Sequence, residues 1–104
     1  MSEYKKIMRR IFRTDVFIRD GYRCVICGAE DGVVAHHITD GSEMPNDGLV
    51  RENGITLCPN HHLLAEMWHK SLKQEFWDGF HPNDLYKKIN SSYELAVLKS
   101  KELK

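Results

Sequence analysis

The chain has 104 residues, of which 41% are hydrophobic and 29% are charged, with 15 Lys and Arg against 15 Asp and Glu. This length predicts one domain with a modest core, and the composition excludes a disordered chain. The longest apolar runs span only a few residues, far short of the roughly 20 that cross a bilayer, so we expect neither a membrane span nor a signal peptide.

The cysteines indicate metal binding. The three of them cannot all form disulfides, and two lie in the motif Cys24-x-x-Cys27. This usage is more typical of metal ligation in a reducing compartment than of a disulfide framework. We therefore expect a cytoplasmic protein that binds a metal.

The net charge of zero conceals an uneven distribution. Residues 1–23 carry seven Lys and Arg against three acids (+4), residues 24–69 carry one against seven (−6), and residues 70–104 carry seven against five (+2). Five of the six histidines lie in the acidic middle. A metal site with basic flanks suits contact with a phosphate backbone, but a solvated helix face explains the N-terminal charges equally well.

The N-terminal segment predicts a basic amphipathic helix over residues 3–13. A short further turn is expected after Thr14 or Asp15, and Gly21 ends this arm of residues 1–21. Its apolar positions are Ile7, Met8, Ile11 and Phe12, and its basic ones are Lys5, Lys6, Arg9, Arg10 and Arg13.

Two strands are predicted before a long helix. Residues 33–38 are β-prone and end near a histidine doublet, while residues 40–48 are rich in Gly, Asp and Asn and predict a loop. Residues 49–50 and 55–57 are β-prone and flank an Asn53-Gly54 step, so we expect a tight turn or a hairpin there.

The C-terminal half is predicted to be helical. Pro59 suits the first turn of a helix over residues 60–76, and Asn83 or Asp84 is expected to cap a turn after a break at residues 79–82. Ser91-x-x-Glu94 has capping-box spacing before a terminal helix, within an extension of residues 79–104. The long helix is expected to bury Leu63, Leu64, Met67, Trp68 and Leu72.

Two metal-knuckle pairs, Cys24-x-x-Cys27 and Cys58-x-x-His61, predict a structural zinc site. Four such ligands close a tetrahedral Zn²⁺ site, which stabilises a small fold and leaves no position open for chemistry. The alternative, that Cys24 and Cys58 are small buried hydrophobes, does not account for two matched pairs.

The histidines that remain are candidates for chemistry. His36 and His37 are adjacent on a predicted strand, so their side chains point to opposite faces and are expected to have different roles. One would face a metal carried by the helix of His62, and the other would face a substrate as a base, since a neutral imidazole deprotonates water near physiological pH. For an isolated pair, two exposed or hydrogen-bonded histidines are the simpler interpretation.

The pair is not isolated, and here the chain resembles a known family. The segments are Tyr22-Arg23-Cys24-x-x-Cys27-Gly28, Ala35-His36-His37-Ile38 and Glu52-Asn53-Gly54-Ile55-Thr56-Leu57-Cys58-Pro59-Asn60-His61-His62. Together they look like the HNH endonuclease family of the ββα-metal, or His-Me finger, superfamily. The resemblance implies one α+β domain over residues 1–104, a small ββα-metal finger with zinc knuckles and a core near residues 22–68, flanked by helices.

By this resemblance, His37 would be the general base for the attacking water, and Asn53 would hold its strand and ring orientation. His36 and His62 would bind a catalytic divalent ion, with Glu66 one turn further as a candidate third ligand or a solvated carboxylate. DNA cleavage would leave 5′-phosphate and 3′-hydroxyl ends. The candidate DNA-binding residues are Lys5, Lys6, Arg9, Arg10, Arg13 and Arg23.

The chain departs from the commonest family pattern at two positions, His36 in place of Asp and His61 in place of Cys. Mg²⁺ or Mn²⁺ is expected as the catalytic ion, while a histidine-rich site would also accept Ni²⁺ or Zn²⁺. Because His61 and His62 are neighbours, their assignment to the two metals could be exchanged.

The resemblance also implies partners. They are DNA and either a second copy or a protein of phage packaging or restriction machinery, in a bacterial or phage-infected cell. A non-catalytic zinc-ribbon module that binds nucleic acid, or an accessory protein, remains the alternative.

Overall fold

The structure, a computed structural model, describes residues 2–103; Met1 and Lys104, the ends of the predicted domain, lie outside them. The described residues form four α-helices and one two-stranded antiparallel sheet, which confirms the α+β class. None of these helices is long and apolar enough to cross a membrane. The elements are α1 (Glu3–Asp20), β1 (Val34–His37), β2 (Gly54–Leu57), α2 (Pro59–Lys70), α3 (Pro82–Lys88) and α4 (Tyr93–Lys101).

Helix α1 is a single helix, so the prediction of a break near residue 14 is wrong. Ser2 caps its start by accepting a hydrogen bond from the Lys5 N–H, and Gly21 ends it in the left-handed region at φ +70°. The helix continues because Val16, just past the expected break, is fully buried. Val16 packs so closely on β2 that a Cβ added to Gly54 would lie 2.5 Å from it.

The buried side of α1 also differs from the prediction. Phe12 is buried and Met8 packs against the same small cluster, but Ile7 and Ile11 are exposed. The predicted apolar stripe was centred on the wrong face of α1, because the sheet packs against the face that carries Phe12 and Val16.

The sheet pairs β1 with β2, so residues 49–50 and 55–57 do not form a hairpin, but the alternative prediction of a tight turn agrees with the short turn just before Gly54. His36 lies opposite Ile55 and His37 opposite Gly54, while Asn53 ends a short 3₁₀ turn over Arg51–Asn53. Asn53 is not in a hairpin turn because its side chain is fully buried and bonded to the backbone of Thr39.

Helix α2 follows β2 directly and ends well before residue 76. Cys58 is its N-cap and Pro59 occupies the first turn. The helix ends because the Ser71 hydroxyl accepts the N–H groups of the following turn, where Leu72 takes a left-handed φ of +57°. Leu63 and Leu72 are exposed rather than buried as predicted, and Ala65 is the buried residue of the helix.

The C-terminal extension packs on the core. His81 caps α3, rather than Asn83 or Asp84, because its ring accepts the Asn83 N–H while the Asp84 carboxylate accepts the His81 N–H. Ser92, rather than Ser91, caps α4. Helices α3 and α4 place three buried residues in the same core as the sheet: Leu85, Tyr86 and Ala96.

Candidate metal centres and cleft

Cys24, Cys27, Cys58 and His61 converge on one point, and their ligand atoms all lie within 4.8 Å of one another. The sulfurs of Cys27 and Cys58 are 3.8 Å apart, and His61 Nδ1 lies 3.3 Å from Cys58 Sγ and 3.6 Å from Cys24 Sγ. Two sulfurs on a tetrahedral Zn²⁺ at roughly 2.3 Å would be about 3.8 Å apart. The cluster could therefore hold a metal such as zinc.

The cysteine pKa values reflect this crowding. Burial raises the pKa of Cys24, but backbone hydrogen bonds from Cys58, Cys27 and Ile26 outweigh burial and lower the pKa to about 6. A backbone hydrogen bond from Ala29 lowers the pKa of Cys27, yet desolvation and the neighbouring sulfurs raise it above its ordinary value. One thiolate is favoured and further ones are opposed, which a bound cation would relieve.

A second group, His36, His62 and Glu66, lies on the other side of α2, again with ligand atoms within 4.8 Å. Glu66 Oε1 is 3.3 Å from His36 Nδ1 and 3.2 Å from His62 Nε2. His61 and His62 belong to different groups because neighbouring positions on a helix are about 100° apart. The structure thus places His61 with the cysteines and His62 with His36.

Two members of the second group, His36 and Glu66, favour the protonation states that a divalent ion requires. The hydrogen bond from His36 lowers the pKa of Glu66 to about 2, although burial acts in the opposite direction. Burial lowers the pKa of His36, which favours the neutral ring. Ionised carboxylate and neutral imidazole are the forms that ligate metals.

His37 points to the opposite face of β1, towards α1. Its ring stacks on Phe12 with centroids 4.4 Å apart and planes 17° apart. Burial is the main cause that lowers the pKa of His37. Within residues 2–103 its Nε2 atom is buried without a hydrogen-bond partner. His36 Nε2 is likewise buried without a partner among these residues, so neither ring is anchored to the protein through this atom.

A cleft of about 560 Å³ joins His37 to the second group. Arg9 and Arg13 of α1 lie on one wall and make no ion pair with another described residue, whereas Asp47 on the rim is paired with Lys5 at 3.2 Å. The full lining is Arg9, Phe12, Arg13, Ala35, His36, His37, Asp40, Gly41, Ser42, Asp47, Leu49, His62, Glu66 and His69.

The other predicted DNA-binding residues lie outside this cleft. Lys6 pairs with Glu3, and Arg23 pairs with Glu30. Arg10 is exposed but does not line the cleft. Of the six candidates, only Arg9 and Arg13 line the cleft that contains the histidines.

His69 is a cleft residue that the sequence reasoning missed. It lies one turn beyond Glu66, with its ring 5.3 Å from that of His36 and its Nε2 3.1 Å from the His37 carbonyl oxygen. Because a carbonyl only accepts, Nε2 of His69 carries the hydrogen. The spacing of His62, Glu66 and His69 along one helical face was the available signal.

Asn53 is buried, and both polar atoms of its side chain form hydrogen bonds. Its Nδ2 donates to the carbonyls of Thr39 and Gly48, and its Oδ1 accepts the Thr39 N–H at 3.0 Å and the Tyr86 hydroxyl at 2.7 Å. Asn53 therefore ties down the chain two residues after His37. Tyr86 was missed because it lies in the extension, outside the motif.

No protein-family model, curated protein or solved structure matches this chain. The structure by itself establishes a small α+β protein with a possible Cys/His metal site. Any function must therefore be argued from the two residue groups and the cleft.

Proposed function

We propose that this chain is a metal-dependent DNA endonuclease of the HNH type, with a ββα-metal core formed by β1, β2 and α2. Cys24, Cys27, Cys58 and His61 would hold a structural Zn²⁺. The second group, with His37 and the cleft, would hydrolyse phosphodiester bonds, either nicking or cutting both strands.

The observation that carries this proposal is the placement of His37. It lies next to a possible metal site but on the other face of β1, it lines the cleft, and its pKa is lowered. A general base needs a neutral ring, which the lowered pKa favours, and access to the substrate, which its position in the cleft lining supports. The stack on Phe12 limits how the ring can turn.

The protein groups divide the reaction between them. His37 would take the proton of the attacking water from its position on the cleft wall. Arg9 and Arg13 would bind the phosphate oxygens from the α1 wall, where no described acidic residue pairs with them. Asn53 would keep the end of β1 in place through its two bonds to Thr39.

The donor set of the second group fits a divalent ion, because two imidazoles and one carboxylate leave coordination positions open. Mg²⁺ or Mn²⁺, or alternatively Ni²⁺ or Zn²⁺, would there stabilise the charge on the phosphate and on the departing 3′ oxygen. Products would then carry 5′-phosphate and 3′-hydroxyl ends.

The test is nicking of supercoiled plasmid by zinc-loaded protein with added Mg²⁺ or Mn²⁺. His37→Ala is expected to reduce the rate by about 10² to 10⁴. His81→Ser is the matched control, because it removes a histidine outside the cleft and retains a capping hydroxyl for α3. Equal rates for His37→Ala and the parent would overturn the base assignment.

A fully inactive parent, tested across several divalent ions and DNA substrates, would instead favour the alternative of a zinc-ribbon module that binds nucleic acid. Activity gained only on adding a phage packaging or restriction protein would identify an accessory subunit. Either outcome agrees with the Cys/His cluster, which is compatible with both functions. A cytoplasmic location belongs to the same proposal.

A further inference from the structure

Helix α1 carries an apolar stripe on its outer face, opposite the face that packs on the sheet. The side chains of the stripe are half-exposed, although apolar residues of this size are usually buried. Apolar residues that share one exposed face mark an interaction site more often than scattered ones do. The exposed fractions are 54% for Tyr4, 50% for Ile7, 45% for Ile11 and 62% for Ile18.

The spacing of the stripe is that of a coiled coil. Positions 4, 7, 11, 14 and 18 alternate steps of three and four residues, which is the a/d pattern of two heptads. The one non-aliphatic d position is Thr14, which is exposed and uncharged. None of the five positions carries a charge, so the stripe suits another apolar helix and not a phosphate backbone.

We propose that this stripe pairs with the same stripe of a second copy of the chain, as a parallel two-stranded coil. Charge complementarity identifies the occupant. With Tyr4 at an a position, Arg10 falls at g and Asp15 at the following e, and in a parallel pair these two positions face each other across the interface. Each Arg10 therefore meets Asp15 of the other copy, which gives two attractive pairs.

The opposite orientation is disfavoured by the same residues. An antiparallel pair brings g positions together, so the two Arg10 side chains would meet near the centre of the interface. Arg10 and Asp15 are both exposed, and neither makes an ion pair with another described residue. They are thus free to pair between copies.

The pairing leaves the cleft open. Arg9, Phe12 and Arg13 face the cleft from the other side of α1, so a second copy on the stripe does not cover them. The interface is only two heptads long, so we expect weak association that depends on protein concentration. The proposal does not depend on nuclease activity.

The experiment is sedimentation equilibrium of the full zinc-loaded chain across the micromolar range. The parent is expected to shift from monomer to dimer with concentration, and Ile11→Lys to raise the dissociation constant more than about tenfold. Leu98→Lys is the matched control, since it charges an exposed leucine on α4, away from the stripe. Ile18→Lys repeats the test if Ile11→Lys does not fold, as judged by circular dichroism and zinc content.

A charge exchange tests the orientation. Arg10→Glu and Asp15→Arg are each expected to weaken the dimer, and the double variant to restore it. A double variant as weak as the single ones would overturn the parallel arrangement. A parent that stays monomeric, or a dimer that Ile11→Lys and Ile18→Lys leave intact, would overturn the pairing itself. If the parent is monomeric and these variants lose DNA binding, the stripe is a DNA-binding surface instead.

Discussion

Tyr86 donates a hydrogen bond of 2.7 Å to Oδ1 of Asn53, which lies 33 positions earlier in the chain. Because that hydroxyl gives its only proton to Asn53, the Thr39 hydroxyl, 2.6 Å away, must donate to Tyr86. Burial raises the pKa of Tyr86 to about 12, so it remains a donor at neutral pH. A helix outside the HNH-like motif thus completes the hydrogen bonds of a residue inside it.

Tyr86→Phe is expected to lower the free energy of unfolding by about 1 to 3 kcal/mol. The change leaves the Thr39 hydroxyl and one acceptor site of Asn53 buried without a partner. Urea unfolding measures the loss, and Tyr93→Phe, at an exposed tyrosine of α4, is the control with little effect. Equal stability of the two variants would contradict a role for the bond.

Removal of the structural metal is expected to unfold the protein. Elemental analysis should find one tightly bound zinc per chain, lost in Cys58→Ser. The variant should lose at least about 3 kcal/mol of stability, because zinc bound at the Cys/His cluster would contribute folding free energy to so small a core. Circular dichroism during titration with a strong chelator follows the unfolding. A chain that contains no zinc and still unfolds cooperatively would rule out this role.

Separate replacement of the two neighbouring histidines by alanine distinguishes the two metal sites. His62→Ala is expected to weaken Mn²⁺ binding by about 10- to 100-fold while the zinc content stays at one. His61→Ala should do the reverse, with loss of zinc and of folded structure. Calorimetric titration with Mn²⁺, alongside zinc analysis, distinguishes them; zinc loss in His62→Ala would show that the assignments are exchanged.

Glu66→Gln tests the third ligand without changing the size of the side chain. The amide loses the charge that contacts both His36 and His62, so Mn²⁺ is expected to bind about tenfold more weakly. Glu94→Gln, at an exposed position of α4, is the matched control. Unchanged Mn²⁺ affinity in Glu66→Gln would identify Glu66 as a bystander.

The pH dependence of nicking should report on His37. A general base works when neutral, and burial lowers its pKa, so the rate should rise with pH through a midpoint below the ordinary histidine value of about 6.5. Phe12→Leu lets water reach the ring and should move the midpoint upward. The measurement is kcat/KM at saturating Mn²⁺, with Phe76→Leu, an exposed aromatic outside the cleft, as control. An identical midpoint in Phe12→Leu and the parent would contradict this cause.

Local spacing predicted the ligand groups better than it predicted the strand pairing. Cys24-x-x-Cys27 and Cys58-x-x-His61 are each held by one turn of backbone, and the structure brings them together. No hairpin forms before Gly54, because the type I′ turn that Asn-Gly favours needs a positive φ at both residues, whereas Gly54 is extended at φ −130° and begins β2. The Asn53 side chain is bonded to Thr39, a contact that no local pattern reveals.

The sequence by itself determined that helices form in these regions, although not where they end, together with the α+β class and the candidate residues, because periodicity and ligand spacing are local properties. Only the tertiary structure decided that His61 joins the cysteines while His62 joins Glu66, and that Phe12 of α1 stacks on His37. It also decided that Tyr86 supports Asn53. Each of these depends on the direction of a side chain once distant elements pack, and that direction follows from filling one shared core.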